Sequence, residues 1–296
     1  MLSGNRQTGG KDVLRSQTVF ALLVAMPLAA CAAAPIAYPT EMEMTTWSVV
    51  GVDPKTGDVG VAVASCVQSY GDAVAALVPG KGAAATQAGF DIKNRNKVFE
   101  AIKQGLTAEE VIAQVTDPKW DSQTDRRQYG VLTMHNGFVR AAGFTTPTRQ
   151  GVTVGDNGVA RYAGVMADPS RGVSAQGNTL ASSEVVQRPL DVYRWEDPAG
   201  FNTLPDRLMR AIEAGSIAGG DVRCNQGSVR QTTSMAAILV ARGTDPPYAT
   251  ENIGMTDAGT EKAPWLNLSV RVERGGENPL LELRRQYDRW RRTQPK

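Results

Sequence analysis

Residues 46–65, TWSVVGVDPKTGDVGVAVAS, constrain the fold more than any other stretch of the chain. Two apolar, β-branched runs flank PKTG, in which Pro54 and Gly57 stand where a tight turn uses them. The segment reads as a strand, a turn and a second strand, with Asp53 as a turn residue before Pro54. GAAATQAG then reads as a small-residue strand against which something packs closely.

Two helices are expected next. NKVFEAIKQGL sets Val98, Ile102 and Leu106 on one face, and TAEEVIAQV opens with Thr107 and Glu110 at capping-box spacing. YGVLTMHNGFVRAAGF predicts a hairpin turning at Asn136-Gly137. GVSAQGNTLAS predicts a short strand and a helix starting near Thr179. LPDRLMRAIEAG predicts a helix with Leu204, Leu208 and Ile212 in register and a stop at Gly215. SMAAILVARG is a wholly apolar strand, and WLNLSVRVERG alternates Leu266, Leu268, Val270 and Val272. PLLELRRQYDRWRR closes the chain as a basic amphipathic helix whose charges read as a solvated face. Strands in groups, separated by helices, favour a layered α+β fold over a wound parallel sheet.

Composition excludes several chemistries. The 32 basic and 30 acidic residues leave a net charge of +2, which argues against a nucleic-acid footprint. The chain has one histidine, His135, and it precedes a turn signal. Ser-His-Asp and Cys-His nucleophiles need an imidazole beside them, and His-rich zinc sites need several. A hydrolase with this sequence needs another base. No cofactor is expected and no metal-ligand pattern is present.

The first 31 residues have the layout of a secretory signal peptide: Arg6, Lys11 and Arg15, an apolar run from Val19 to Ala30, then small residues. Leu28-Ala29-Ala30-Cys31 is similar to a bacterial lipobox, which makes Cys31 the expected lipidated residue. Cleavage within Ala32-Ala33-Ala34 is the alternative. The expected organisation is a leader (1–31), a linker or propeptide (32–45), a domain (46–275) and a C-terminal basic helix (276–296). Export to the periplasmic face, lipid-anchored or secreted, follows from the leader, with the membrane met only through the anchor. In an oxidising compartment Cys66 and Cys224 either form a disulfide or stay as buried thiols.

TWSVVGVDPKTGDVGVAVAS, GAAATQAG, SAQGNTLAS, AIEAGSIAGGD and MAAILV, in that order, resemble the domain-of-unknown-function family 1028 over residues 46–243. The family is thought to share the N-terminal nucleophile (Ntn) hydrolase fold. The resemblance implies a four-layer αββα sandwich with two central antiparallel sheets, and it brings no substrate with it. It implies Thr46 as the nucleophile, with Thr45 as the alternative by one position, and the amine freed by cleavage before Thr46 as the base. That amine has a pKa of roughly 7.7–8.0, near working pH. Asn178 is the expected oxyanion donor or a turn residue, and Asp221 orients the amine or caps a turn. Gln87 and Gln176 are expected to line a substrate pocket, and Ser48 to face the core or a neighbouring strand. One departure stands out: the second strand ends Val63-Ala64-Ser65, without the Asp that proteasome subunits carry, and Lys81 sits where the family more often has an apolar residue. A Thr-Lys-Asp set is therefore not expected.

Three functions compete. The first is an exported, self-processing amidohydrolase acting on an unknown small amide or peptide. The second is a non-catalytic binding or structural lipoprotein with the same fold. The third is a Cys66 thiol enzyme, which a Cys66–Cys224 bridge excludes. A homo-oligomer is compatible with all three.

Overall fold

Two antiparallel sheets lie face to face, each covered on its outer side by helices. The computed structural model describes residues 41–44, 46–67, 71–155, 157–225, 231–245 and 264–294. The leader, Cys31, the small-residue cleavage sites and Thr45 lie outside the described residues. Among the described residues no helix is long and apolar enough to cross a membrane.

The larger sheet has seven strands: β2 (Thr46–Val52), β3 (Val59–Ser65), β8 (Gly151–Val154), β9 (Ala160–Asp168), β10 (Val173–Leu180), β11 (Met235–Ala241) and β12 (Leu266–Arg271). They run in the order β12-β11-β3-β2-β10-β9-β8, which puts β2 near the centre. The smaller sheet has five: β1 (Glu41–Met44), β4 (Ala75–Val78), β5 (Gly82–Asp91), β6 (Arg127–His135) and β7 (Phe138–Thr145). α1 (Ile92–Lys103) and α2 (Ala108–Val115) cover it. α3 (Glu184–Arg194), α4 (Leu204–Ile217) and α5 (Pro279–Arg292) cover the larger sheet. The expected four-layer α+β sandwich is the architecture observed.

Three apolar clusters fill the spaces between layers. Val50, Val61, Val63, Leu77, Ala83, Ala85 and Leu239 lie between the sheets. Trp47, Val49, Ala62, Leu208 and Ile212 lie under α3–α5, and Val98, Ile102, Val111 and Val131 lie under α1 and α2. Every residue of β2 and β3 is buried because both faces of their sheet are covered. Strands buried on both sides read as continuous apolar runs rather than alternations.

Local expectations mostly hold. Gly57 at φ 76° closes the turn after Asp53, and Asn136 (φ 50°) with Gly137 (φ 80°) makes the β6–β7 hairpin. The Thr107–Glu110 capping box forms, with the Thr107 N–H donating to Glu110 Oε2 at 2.8 Å. Three boundaries differ. α1 ends at Lys103, so Leu106 lies beyond it, packed against the same cluster. No helix starts near Thr179: β10 runs to Leu180, paired with β2 and β9, and α3 begins at Glu184. Gly215 does not stop its helix, which continues to Ile217 before Gly219 and Gly220 turn left-handed. Gly215 is needed for packing, since a Cβ there would lie 2.5 Å from Trp47 Nε1.

The basic face of α5 is only partly solvated. Arg285 and Arg289 pair with Glu282 in the open, but Tyr287 donates to the buried Asp206 at 2.6 Å and Arg291 to the same carboxylate at 3.3 Å. Residues 41–44, read from sequence as part of a linker, form a strand of the smaller sheet.

Cys66 follows β3 directly and is disulfide-bonded to Cys224, with Cα atoms 5.8 Å apart and 158 positions between them. A bridge closing so long a loop restricts the unfolded chain strongly. Replacing both cysteines by alanine is expected to cost about 2–4 kcal/mol. The midpoint of thermal unfolding should fall by about 2–4 °C per kcal/mol, read by calorimetry with and without reductant.

Candidate functional site

Alternation along β2 places the site. Val50 points into the space between the sheets, so Ser48 and Thr46, at period two, point the same way, while Trp47 and Val49 face the helices. The space between the sheets is apolar toward the Val52 end of β2 and polar toward the Thr46 end.

One glutamine from each sheet meets Ser48, and a second from the smaller sheet bonds to the first. Gln87 on β5 and Gln128 on β6 are register partners. Gln176 on β10 is the partner of Ser48 on β2. Gln176 Nε2 donates to Ser48 Oγ at 2.6 Å, and Ser48 Oγ donates to Gln87 Oε1 at 2.7 Å. Gln87 Nε2 donates to Gln128 Oε1 at 2.8 Å and to the Thr46 carbonyl at 3.1 Å. Asn178 Nδ2 reaches the same Gln128 Oε1 at 3.1 Å, and Gln128 Nε2 donates to the Gly177 carbonyl at 2.8 Å. Thr46 Oγ1 donates to Ser65 Oγ at 3.2 Å, and that oxygen also accepts from the Val67 N–H at 3.1 Å. Room for this chain comes from Gly130, where a Cβ would lie 1.8 Å from Gln176 Oε1.

Thr46, Ser48, Gln87, Gln128 and Gln176 are essentially closed to solvent, and Asn178 nearly so. The hydrogen-bond partners described for these six side chains are all neutral. A buried amide chain that is satisfied link by link is rigid, and its geometry does not depend on any proton. The site is sealed, but in polar surroundings rather than in hydrocarbon.

The backbone is strained beside it. Ala88 sits at φ 69° and Thr179 at φ 56°. A left-handed β-branched residue is an outlier that persists only where its surroundings impose it. At Thr179 the β10–β9 register shifts, which turns Asn178 toward Gln128. At Ala88 the strand changes face, so that Phe90 joins the inter-sheet core with Ala83 and Ala85 despite its opposite parity. Sequence reading found Gln87, Gln176 and Asn178 and missed Gln128, the hub. The only local sign is one amide in RQYGVLTM, a run that otherwise reads as plain strand.

The remaining candidates separate. Asp221 is wholly buried, and its carboxylate is taken by Arg223, at 2.6 Å from Nη2 and 3.0 Å from Nε. It bridges Leu180 across the end of β10, and its Oδ1 accepts from the Arg223 N–H at 2.9 Å. The Cys66–Cys224 bridge ties this turn to the end of β3 and leaves no Cys66 thiol. Lys81 is exposed and donates to the Lys103 carbonyl, on a helix-capping errand remote from Thr46. His135 ends β6 beside the hairpin turn and contacts Thr133. Among the described residues no group of three or more His, Cys, Asp or Glu side chains is placed to hold a metal ion.

An ionic cluster flanks the amide chain. Arg127, the neighbour of Gln128, donates to Asp121 Oδ2 at 2.7 Å, lies 3.6 Å from Asp91 and bonds the Gly89 carbonyl. Burial pushes the Asp121 carboxyl up, and hydrogen bonds from Arg127, the Gln123 amide and Asn94 more than reverse this, leaving it below the ordinary carboxylate value. Its folded pKa is therefore lower than its unfolded one, so its stabilisation is complete above about pH 4 and is lost as pH falls through the folded value. Asp121→Asn should flatten the acid limb of the stability curve, measured as urea midpoints from neutral pH downward.

Two cavities lined by described residues lie elsewhere. One of about 360 Å³ is lined by Asp206, Arg210, Arg284, Tyr287 and Arg291 between α4 and α5. Another of about 270 Å³ touches Val52, Gly172 and Tyr193, at the far end of β2 from Thr46. At about 3.3 Å per residue the length of the strand separates that cavity from Thr46 by roughly 20 Å.

Fold and site together define a four-layer αββα protein with a neutral, sealed amide network at the start of a central strand. The model of a family of unknown function, DUF1028, matches residues 46–283, and the chain belongs to that family. The match begins at Thr46, the residue that the network holds. A crystal structure of a DUF1028-model protein from Silicibacter pomeroyi is similar, with TM-score 0.58 and 22% identity, covering 83% of this chain and 88% of that one. At that identity the likeness is one of fold. No curated protein matches the chain.

Proposed function

We propose that the chain is an exported, self-processing amidohydrolase of the Ntn type, with Thr46 as its nucleophile. The observation that carries this reading is the treatment of Thr46. Its hydroxyl and its carbonyl are both held by buried neutral partners, and the chain changes sheets immediately before it. In the activating step Thr46 Oγ attacks the Thr45 carbonyl carbon, the Thr45–Thr46 C–N bond breaks, and the nitrogen takes the hydroxyl proton. Water then hydrolyses the ester, leaving a Thr45 carboxylate and a free Thr46 amine. In turnover that amine takes the Thr46 hydroxyl proton, Oγ attacks the substrate amide carbonyl, the substrate C–N bond breaks, and the Thr46 ammonium returns the proton to the leaving nitrogen, which departs as an amine. Water frees the acid and restores the hydroxyl.

The lone histidine contacts Thr133 beside the hairpin turn and Lys81 is exposed, which supports the amine as the base. Burial favours its neutral form, so turnover should rise with pH through a value at or below roughly 7.7–8.0. The leader and Cys31 support placement at the periplasmic face, with cleavage before Thr46 releasing the domain from any lipid anchor. Intact mass and N-terminal sequencing test the reading: a fragment beginning at Thr46 is expected, and a Thr45–Thr46 bond that survives long incubation overturns it.

A non-catalytic binding lipoprotein is the second reading. The complete burial of Thr46 favours it. It predicts that the protein's biological role survives Thr46→Ala.

A further inference from the structure

β5 is longer than its partner on one side. Gly82–Ala88 pair with Thr133–Arg127 of β6, and the ladder stops there. On the opposite edge, Gly82–Ala85 pair with β4. Gly89, Phe90 and Asp91 therefore extend past both β4 and β6. The strand partner described for them is β1, antiparallel, with Met44 opposite Ala88, Glu43 opposite Gly89, Met42 opposite Phe90 and Glu41 opposite Asp91. The overhang is held in shape from its other side by the Arg127 side chain, which bonds the Gly89 carbonyl and approaches Asp91. Arg127 is itself locked by Asp121.

This overhang is a rigid strand edge, and it is filled by the residues that precede the candidate scissile bond. Resting on the amidohydrolase reading, we infer that the substrate is a peptide bound in extended form, and that the chain's own residues 41–44 occupy the positions that the acyl side of the substrate takes. In self-processing the acyl side of the bond is Thr45 and the residues before it. In turnover the same side of a substrate must reach the same oxygen from the same direction. Once the Thr45–Thr46 bond is cut, β1 is tethered to nothing in the domain. A four-residue strand dissociates readily, because a short isolated pairing is marginal in water. Its departure leaves the β1-facing edge of 88–91 without a strand, and such an edge accepts another chain by strand addition. Recognition is then mainly through the substrate backbone, with Thr46 at the end of the bound segment. Before cleavage the tethered strand competes at an effective concentration of about millimolar and keeps peptides out.

The test uses the isotope-labelled full chain carrying Thr46→Ala, which cannot cleave, together with Met42→Pro and Met44→Pro, which remove β1 from the ladder. The probe is acetyl-Glu-Met-Glu-Met-Thr-amide. Expected are amide shift changes centred on Ala88–Asp91 in the proline chain and none in the chain carrying Thr46→Ala alone. Peptides N-methylated at successive positions should lose affinity alternately, about tenfold where the methyl replaces an edge-facing N–H and little at the next residue. Absence of shifts at 88–91 with saturating peptide, or equal losses at every methylated position, overturns the inference. If the double-proline chain loses its native spectrum, Glu43→Pro alone serves in its place. Cleavage of the wild-type chain is followed in parallel. Cleavage without peptide binding overturns this inference and leaves Thr46 chemistry standing. Peptide binding without cleavage supports the docking edge and counts against the amidohydrolase.

Discussion

A chain carrying Thr46→Ala should stay whole, fold normally and show no turnover. The substitution removes the one oxygen on which the proposed acyl shift and the acyl-enzyme both depend, so loss of activity should be at least about 10³-fold, as when a nucleophile is deleted elsewhere. Stability should change by only about 1 kcal/mol, because one neutral hydrogen bond is lost and Ser65 Oγ keeps the Val67 N–H. Thr46→Ser is the informative companion. It keeps the oxygen and should process, more slowly, since the lost methyl no longer fixes the rotamer. Mass spectrometry reads processing, and circular dichroism confirms that the fold is kept. An alanine chain that still yields a fragment starting at residue 46 would remove Thr46 from the mechanism.

The largest loss of stability is expected at Gln128. Gln128→Leu is similar in volume, yet it leaves the Asn178 amide and the Gly177 carbonyl without the partners they have here, inside a space closed to water. At about 1–3 kcal/mol for each of these two buried groups left unsatisfied, the cost is about 2–6 kcal/mol. Gln87 keeps its bonds to the Thr46 carbonyl and to Ser48 but loses the one to Gln128, which helps to hold it in place. Processing before Thr46 should therefore slow even where the variant remains folded. Urea unfolding gives the first effect and the rate of appearance of the fragment gives the second. Gln128→Glu separates shape from charge: it keeps the acceptor and places an ionisable group in a network whose described partners are all neutral, so its stability should fall as pH rises through a raised carboxyl pKa.

Much of the site was legible because its pieces sit in local motifs. Thr46 stands at the start of a run that can only be a buried strand, and Gln87, Gln176 and Asn178 are polar residues inside otherwise apolar strands. Such residues need partners, and their presence alone points to a buried polar site. Their mutual contact is not written locally. Gln128 joins two of these pieces, yet it lies 41 residues from Gln87 and 50 from Asn178, and no periodicity connects them. Thr179 was misread because Asn-Thr after Gly looks like a helix start, whereas pairing with β9 and β2 holds it in a strained strand end. The stop expected at Gly215 failed for a related reason: the glycine serves Trp47, a packing partner 168 residues away in sequence.

By itself the sequence determined many of the strands and helices, that they stack in layers, and that the chain carries a single imidazole, set beside a turn signal. Those properties follow from periodicity, turn chemistry and composition, which act over a few residues. Only the tertiary structure decided that Cys66 meets Cys224, that Gln128 links two sheets, and that residues 41–44 complete the edge of β5. Each depends on segments far apart in the chain being brought within a few ångströms, and that follows from the burial of whole faces rather than from any local preference.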